Sequence, residues 1–263
     1  MRSWRLGVDG VTLAVTERGD AAAPAAVLVS GVGSTGEFAA RCWAGCVSAG
    51  YRLVTYDLRG HGDSTPLPDP ADQALERHVR DLAAVADATG ARVVGGTSLG
   101  AHVAASYALT GAAVDALLLA IPGWLGAGSP TALANAAVAD ELAATGVEAT
   151  LARIAAEDAV PRWIVIELER SWLAHDPESL GAAFRAVAAD TAPDVEALAR
   201  VTAAAGVVGM VDDPAHPFAA AEAYAAALPR AALESLSLAE WGERRSILGD
   251  AALAACRRAI ASR

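Results

Sequence analysis

Ser98 is the residue in this chain best placed to do chemistry, at the centre of the pentad Gly96-Thr97-Ser98-Leu99-Gly100. The β-branched pair Val93-Val94 precedes the pentad and the alanine-rich stretch Ala101–Leu109 follows it. These neighbours predict a strand that turns sharply into a helix, with Ser98 at the apex. Glycine on both sides of the serine removes the side chains that such a turn has no room for. The first N–H groups of a helix lack acceptors within it and carry its positive dipole, so they favour negative charge beside the serine. The chemistry this predicts is nucleophilic attack by the Ser98 hydroxyl, which needs a base and a group to orient that base. Candidates are few: His61, His78, His102, His175 and His216, and the pair Asp212-Asp213.

The elements that must position these groups follow from hydropathy patterning and turn residues. Trp4–Val8 and Val11–Glu17 flank Asp9-Gly10 and predict a hairpin. Ala25–Val29 predicts a strand entering the loop Ser30-Gly31-Val32-Gly33-Ser34, then a helix over Phe38–Val47 and a strand over Tyr51–Tyr56. Asp57–Ser64 is a polar loop. Leu75, Val79, Leu82 and Val85 mark one face of a helix closed by Gly90. The turn strand, the Ser98 helix and the strand Ala116–Ile121 come next. From Pro122 to about Arg200 strand signals vanish, and helices are expected to start near Ser129-Pro130, Val147, Pro161, Asp176-Pro177 and Pro193. Gly206–Val211 predicts a strand, Phe218–Ala227 a helix, Ala231–Leu238 a last strand and Gly249–Ala261 a closing helix. Strands alternating with helices predict an α/β fold with a mostly parallel sheet. Residues 1–121 and 201–263 would form its core, and 122–200 a helical lid.

Composition narrows the function classes. With 263 residues and 54% hydrophobic content the chain can bury a large core. Its net charge of −11, with no basic patch, argues against nucleic acid and anionic membranes as partners. The uncharged stretch Ala116–Ala139 is broken by Pro122, Gly123, Gly126, Gly128, Pro130 and Asn135, which excludes a membrane span. Arg5 and Asp9 interrupt any apolar leader. The count of three cysteines is odd, and Cys42 and Cys46 suit packing better than metal binding. A reducing, cytoplasmic location is expected. No metal, P-loop or dinucleotide pattern is present, so no cofactor is expected.

In their order, these parts resemble the α/β-hydrolase superfamily over nearly the whole chain. The loop Ser30-Gly31-Val32-Gly33 is similar to that family's His-Gly-x-Gly segment, with serine in place of histidine. The resemblance implies that the backbone N–H groups of Val32 and Leu99 form an oxyanion hole, with Ser30 and Gly31 beside the pocket. The stretch Gly209–Pro217 is similar to the family's acid loop, where a proline follows the acid by four. That register selects Asp213, with Pro217 in the matching place. The resemblance also implies a helical lid inserted after the strand that follows the Ser98 helix.

The departure is the base. The family places its histidine after the last strand, here near Glu240 to Gly242, yet Leu238–Arg245 contains none and no histidine follows His216. His216, three residues past Asp213, is one substitute. His102, one helical turn past Ser98, is another and also a candidate pocket residue. Glu240 or Glu243 could serve as a carboxylate base for proton abstraction. His61 reads as a packing or pocket-rim residue, and His78 and His175 as solvated. Trp124, Trp163 and Trp172 either roof an apolar pocket or form lid core. The expected activity is hydrolysis of a small apolar ester, lactone or thioester by a monomer or homodimer. The alternatives are a non-hydrolytic member of the fold, such as an epimerase, cyclase or lyase, and a degenerate ligand-binding protein.

Overall fold

The computed structural model describes residues 1–127 and 130–262. It opens with the hairpin β1 (Arg2–Val8) and β2 (Val11–Arg18). Asp9 and Gly10 both sit at positive φ, 47° and 82°, the signature of a type I′ turn. Next come β3 (Ala25–Val29), α1 (Gly36–Cys42), α2 (Gly45–Ser48) and β4 (Arg52–Tyr56). After these follow α3 (Leu75–Thr89), β5 (Val93–Thr97), α4 (Leu99–Ala108) and β6 (Ala116–Ala120). The helical block holds α5 (Pro130–Thr145), α6 (Val147–Ala155), α7 (Arg162–Trp172), α8 (Pro177–Ala189) and α9 (Val195–Leu198). The chain closes with β7 (Ala204–Met210), α10 (Phe218–Ala227), β8 (Ala231–Leu236), α11 (Leu238–Glu243) and α12 (Ile247–Ala261).

The eight strands form one sheet in the order β1-β2-β4-β3-β5-β6-β7-β8, parallel from β4 to β8, with β2 antiparallel to both its neighbours. Strands β3, β5, β6 and β7 are buried at every position, which is why their sequences are continuous apolar runs without alternation. Residues of α3, α4 and α10 pack one face. Residues of α1, α2, α11 and α12 pack the other. Val29 at the end of β3 lies opposite Gly96 of β5, so the loops leaving these two strands emerge side by side. Crevices of this kind, at the carboxyl ends of parallel strands, are where open α/β sheets bind ligands. Among the described residues no helix is long and apolar enough to cross a membrane.

Local expectations fail where tertiary contacts override the pattern. The helix expected over Phe38–Val47 is broken into α1 and α2 around Trp43 and Ala44. Gly45 lies there against Asp250 of α12, so close that a Cβ would stand 2.0 Å from its carboxylate. The expected last strand stops at Leu236. Ser237 caps a new helix by accepting the Glu240 N–H while the Glu240 carboxylate takes the Ser237 N–H, a reciprocal capping box. Ser129, expected to start a helix, lies outside the described residues. Cys42, Cys46 and Cys256 are free and buried. Burial pushes the Cys42 and Cys46 thiols up to about 12.

His78 and His175, read from sequence as solvated, are buried, 1% and 6% exposed. Tertiary packing encloses both imidazoles although their sequence neighbours are polar, so local polarity misleads. Burial pushes His78 and His102 down to about 3 and also lowers His61 and His175. His78 and His102 therefore stay neutral in the fold where, in the unfolded chain, they take up protons below about pH 6.5. The unfolded state therefore binds more protons there, and stability should fall as pH drops below about 6.5. Each of these two histidines contributes up to about 1.4 kcal/mol per pH unit, reached well below pH 6.5. Asp190, pushed up to about 6 by burial, acts in the opposite sense but is one group against these two. Urea unfolding of His78→Gln should lose about 1 kcal/mol less than wild type between pH 6.5 and 5.5; parallel losses would contradict this assignment.

Candidate active site

Ser98 sits between β5 and α4 at φ 56°, ψ −117°, a backbone region that residues with a Cβ rarely occupy. Its N–H donates to the Ala120 carbonyl at 2.9 Å, tying the turn to β6. The flanking glycines are required by contact. A Cβ on Gly96 would lie 2.5 Å from the Val29 carbonyl oxygen and 2.6 Å from the Gly100 carbonyl carbon. On Gly100 it would lie 2.3 Å from the same Val29 oxygen. Both approaches are to backbone, which cannot rotate away.

Above Ser98 stands the loop between β7 and α10. His216 Nε2 is 2.9 Å from Ser98 Oγ, and its Nδ1 is 2.8 Å from Asp213 Oδ2. The carboxylate accepts at Nδ1, which assigns the proton there and leaves Nε2 to accept from the serine hydroxyl. Burial alone would raise the Asp213 carboxyl, but the hydrogen bond and charge of His216, with two backbone N–H groups, hold it below its usual value. Asp212 does different work: its carboxylate accepts the Leu238 N–H at 2.7 Å, clipping the start of α11 to this loop. The Thr131 hydroxyl, in the first turn of α5, reaches the carbonyls of Gly123 (3.3 Å) and Ala215 (3.2 Å). Such a chain can draw a proton from the serine as its oxygen attacks.

On the other side lies the loop after β3. Gly31 touches the serine closely enough that a Cβ would be 3.2 Å from Ser98 Cβ. The Ser34 N–H closes a turn onto the Gly31 carbonyl at 3.2 Å. Among the described residues the Val32 N–H has no acceptor. The Leu99 N–H, in the first turn of α4, has none within its helix. Two free donors from these loops can receive an oxyanion. The polar loop Asp57–Ser64 braces the region. Asp57 accepts the Gly36 N–H at 2.7 Å, and the fully buried Arg59–Asp81 pair is bidentate at 2.7 and 2.6 Å.

A cavity of about 380 Å³ opens over Ser98 and His216. Ser30, Gly31, Val32, Trp163 and Trp172 line it, as do Phe38, Ile121, Phe184 and Trp241, which sequence reasoning missed. The spacing of Ile164, Leu168, Ser171 and Trp172 on one face of α7 carried a signal for part of this wall. Trp172 packs edge-on to Phe184 at 5.2 Å, and Trp163 edge-on to Trp241 at 5.0 Å. Ile121 holds φ 43°, a costly conformation for a β-branched residue, at the cavity floor. Glu167 of α7 is clasped by Arg41 of α1 at 2.8 and 2.6 Å, which fastens the helical block to the core.

Two expected pocket residues are corrected. His102 and Trp124 pack on each other 4.3 Å apart behind the site, and neither lines the cavity. His102 spends both ring nitrogens on structure, one with the Tyr224 hydroxyl at 2.7 Å and the other accepting the Gly123 N–H at 3.2 Å. Nor do Glu240 and Glu243 reach the cavity. Trp241 lines the cavity in the segment where the family histidine was expected. Among the described residues no group of His, Cys, Asp or Glu is arranged to hold a metal ion.

Sheet order, sharp serine turn and acid loop together define an α/β-hydrolase architecture. The alpha/beta hydrolase family model matches residues 26–252, and the chain belongs to that family. It is similar to the structure of a hydrolase from Pseudomonas aeruginosa PA01, at 27% identity and TM-score 0.70, with 89% of each chain covered. It is also similar to the enol-lactonase from Burkholderia xenovorans LB400, at 21% identity and TM-score 0.75, covering 89% of this chain and 90% of that one. A thermophilic esterase from Thermogutta terrifontis matches at 20% identity and TM-score 0.72, with 90% of each chain covered.

The glycine contacts yield a direct test. Gly96→Ala should destabilise the protein by about 3 kcal/mol or more, because its methyl meets only backbone. Gly181→Ala, in α8 with nothing within 4 Å, should stabilise by about 0.5–1 kcal/mol. Urea midpoints of the two variants measure the contrast; equal shifts would contradict the close approach at Gly96.

Proposed function

We propose that the protein hydrolyses small, apolar carboxylic esters, lactones or thioesters through Ser98. The observation that carries this reading is the continuous hydrogen-bonded chain from Asp213 through His216 to Ser98. As Ser98 Oγ attacks the substrate carbonyl, its proton passes to His216 Nε2, and Asp213 stabilises the imidazolium through Nδ1–H. The N–H groups of Val32 and Leu99 receive the oxyanion. Collapse of the tetrahedral intermediate expels the alcohol or thiol, which takes the proton from His216 and leaves an acyl-serine. Water, deprotonated by His216, then attacks the acyl carbon and releases the acid. Every step balances with water as the only co-substrate.

The aromatic walls from Phe38, Trp163, Trp172, Phe184 and Trp241 favour an apolar acyl or alcohol group in the cavity. Esterases and an enol-lactonase among the similar folds accord with this class of substrate. An epimerase, cyclase or lyase was attractive because no base histidine follows the last strand. With His216 in hydrogen-bond reach of Ser98, that motive falls away.

Turnover of p-nitrophenyl esters, from acetate to hexanoate and benzoate, tests the proposal. Ser98→Ala and His216→Ala should each lower kcat by roughly 10³-fold or more, and Asp213→Asn by less. Melting temperatures would verify folding. Wild-type turnover indistinguishable from Ser98→Ala would refute the proposal.

A further inference from the structure

The sequence Arg59-Gly60-His61-Gly62 belongs to none of the steps above, yet one of its side chains reaches the loop that carries the Val32 N–H. The Gly33 N–H donates to His61 Nε2 at 3.0 Å in a fully buried contact. Because Nε2 accepts, Nδ1 carries the proton, and it donates to the Arg59 carbonyl at 2.9 Å. Arg59 is itself held by both oxygens of Asp81. His61 therefore hangs from a rigid buried anchor and presents a single acceptor to the loop.

What it grips is the middle of a turn. Gly31 to Ser34 is closed by the Ser34 N–H on the Gly31 carbonyl, and Gly33 has φ 67° whereas Val32 does not take positive φ. That combination is a type II turn. The central peptide here is the one carrying the Gly33 N–H, and its acceptor is His61. Space also guards this arrangement, since a Cβ on Gly33 would meet the Trp172 indole nitrogen at 2.7 Å.

We infer that His61 is a positioning residue for the oxyanion hole: by accepting the Gly33 N–H from a buried, anchored ring it fixes the place of the loop that carries the Val32 N–H. The inference rests on the hydrolytic reading above. It predicts that His61 acts on the transition state and leaves ground-state binding of the substrate unchanged.

Two variants separate the ring nitrogens. In His61→Asn the amide can stand near Nδ1 and keep the Arg59 contact, but nothing replaces Nε2. In His61→Gln the side-chain oxygen can stand near Nε2 and accept the Gly33 N–H. His61→Asn should lower kcat on a p-nitrophenyl ester by about 10–100-fold with KM changed less than about twofold. A phenylboronic acid, which mimics the tetrahedral oxyanion, should bind it more weakly by a similar factor. His61→Gln should recover most of kcat. A purely structural role predicts loss of melting temperature without this kcat-against-KM split and without recovery by glutamine, and that pattern would overturn the inference. A readout independent of activity is the scalar coupling across the N–H···N bond between Gly33 and His61 in ¹⁵N-labelled protein. Its presence is expected, and its absence overturns the inference. The two readings fail separately. Wild-type turnover unaffected by Ser98→Ala sinks hydrolysis alone, while Ser98-dependent turnover left intact by His61→Asn sinks the positioning role alone.

Discussion

Ser98 is held at φ 56° where β5 meets α4, and the neighbouring structure is shaped to keep it there. The conformation is unfavourable for any residue with a Cβ, so surrounding contacts must over-determine it. Gly96 and Gly100 press on the backbone of β3, the Ser98 N–H is bonded to β6, and Gly31 lies against the serine itself. Three adjacent parallel strands thus define one point in space. Packing at native density makes that point stiff, because none of these backbone contacts relaxes by rotating a side chain.

Around that point the chain assembles groups from distant parts of the sequence. One loop, between β7 and α10, supplies both Asp213 and His216, three residues apart. In the arrangement the family resemblance implies, acid and base come from different loops, and the second follows the last strand. Here the second location holds α11, whose Trp241 helps wall the cavity, and Asp212 ties that helix back to the loop carrying Asp213. Carrying both groups on one short segment, Asp213 to His216, reduces the number of elements that must be placed to sub-ångström accuracy. It also makes the geometry depend on that loop's own supports, among them Thr131 of α5.

Much of this was legible in the sequence, for physical reasons. The β-branched run, the glycine pentad and the alanine-rich helix each have strong local preferences that agree with the final fold. The starts of α6, α8 and α10 lie at Val147, Pro177 and Phe218, where the sequence reading puts them, α8 on its Asp-Pro entry. What sequence could not resolve was burial of polar groups. His78 and His175 look solvated by local polarity, and only the packed fold assigns them to the interior. Trp124 illustrates the same limit: its spacing within the block fits a pocket wall, yet it turns onto His102 and joins the core. The choice of base was equally hidden, since it depends on how the Asp213 loop curls over β5, a long-range contact with no local signature.

The central claim is that His216 activates Ser98. The most direct measurement is the rate at which a serine-directed aryl phosphonate labels the protein, followed by intact mass and peptide mapping. The account predicts stoichiometric labelling of Ser98 in the wild type and labelling of His216→Ala slower by about 10²-fold or more. Equal rates in the two proteins, or labelling at another residue, would contradict it.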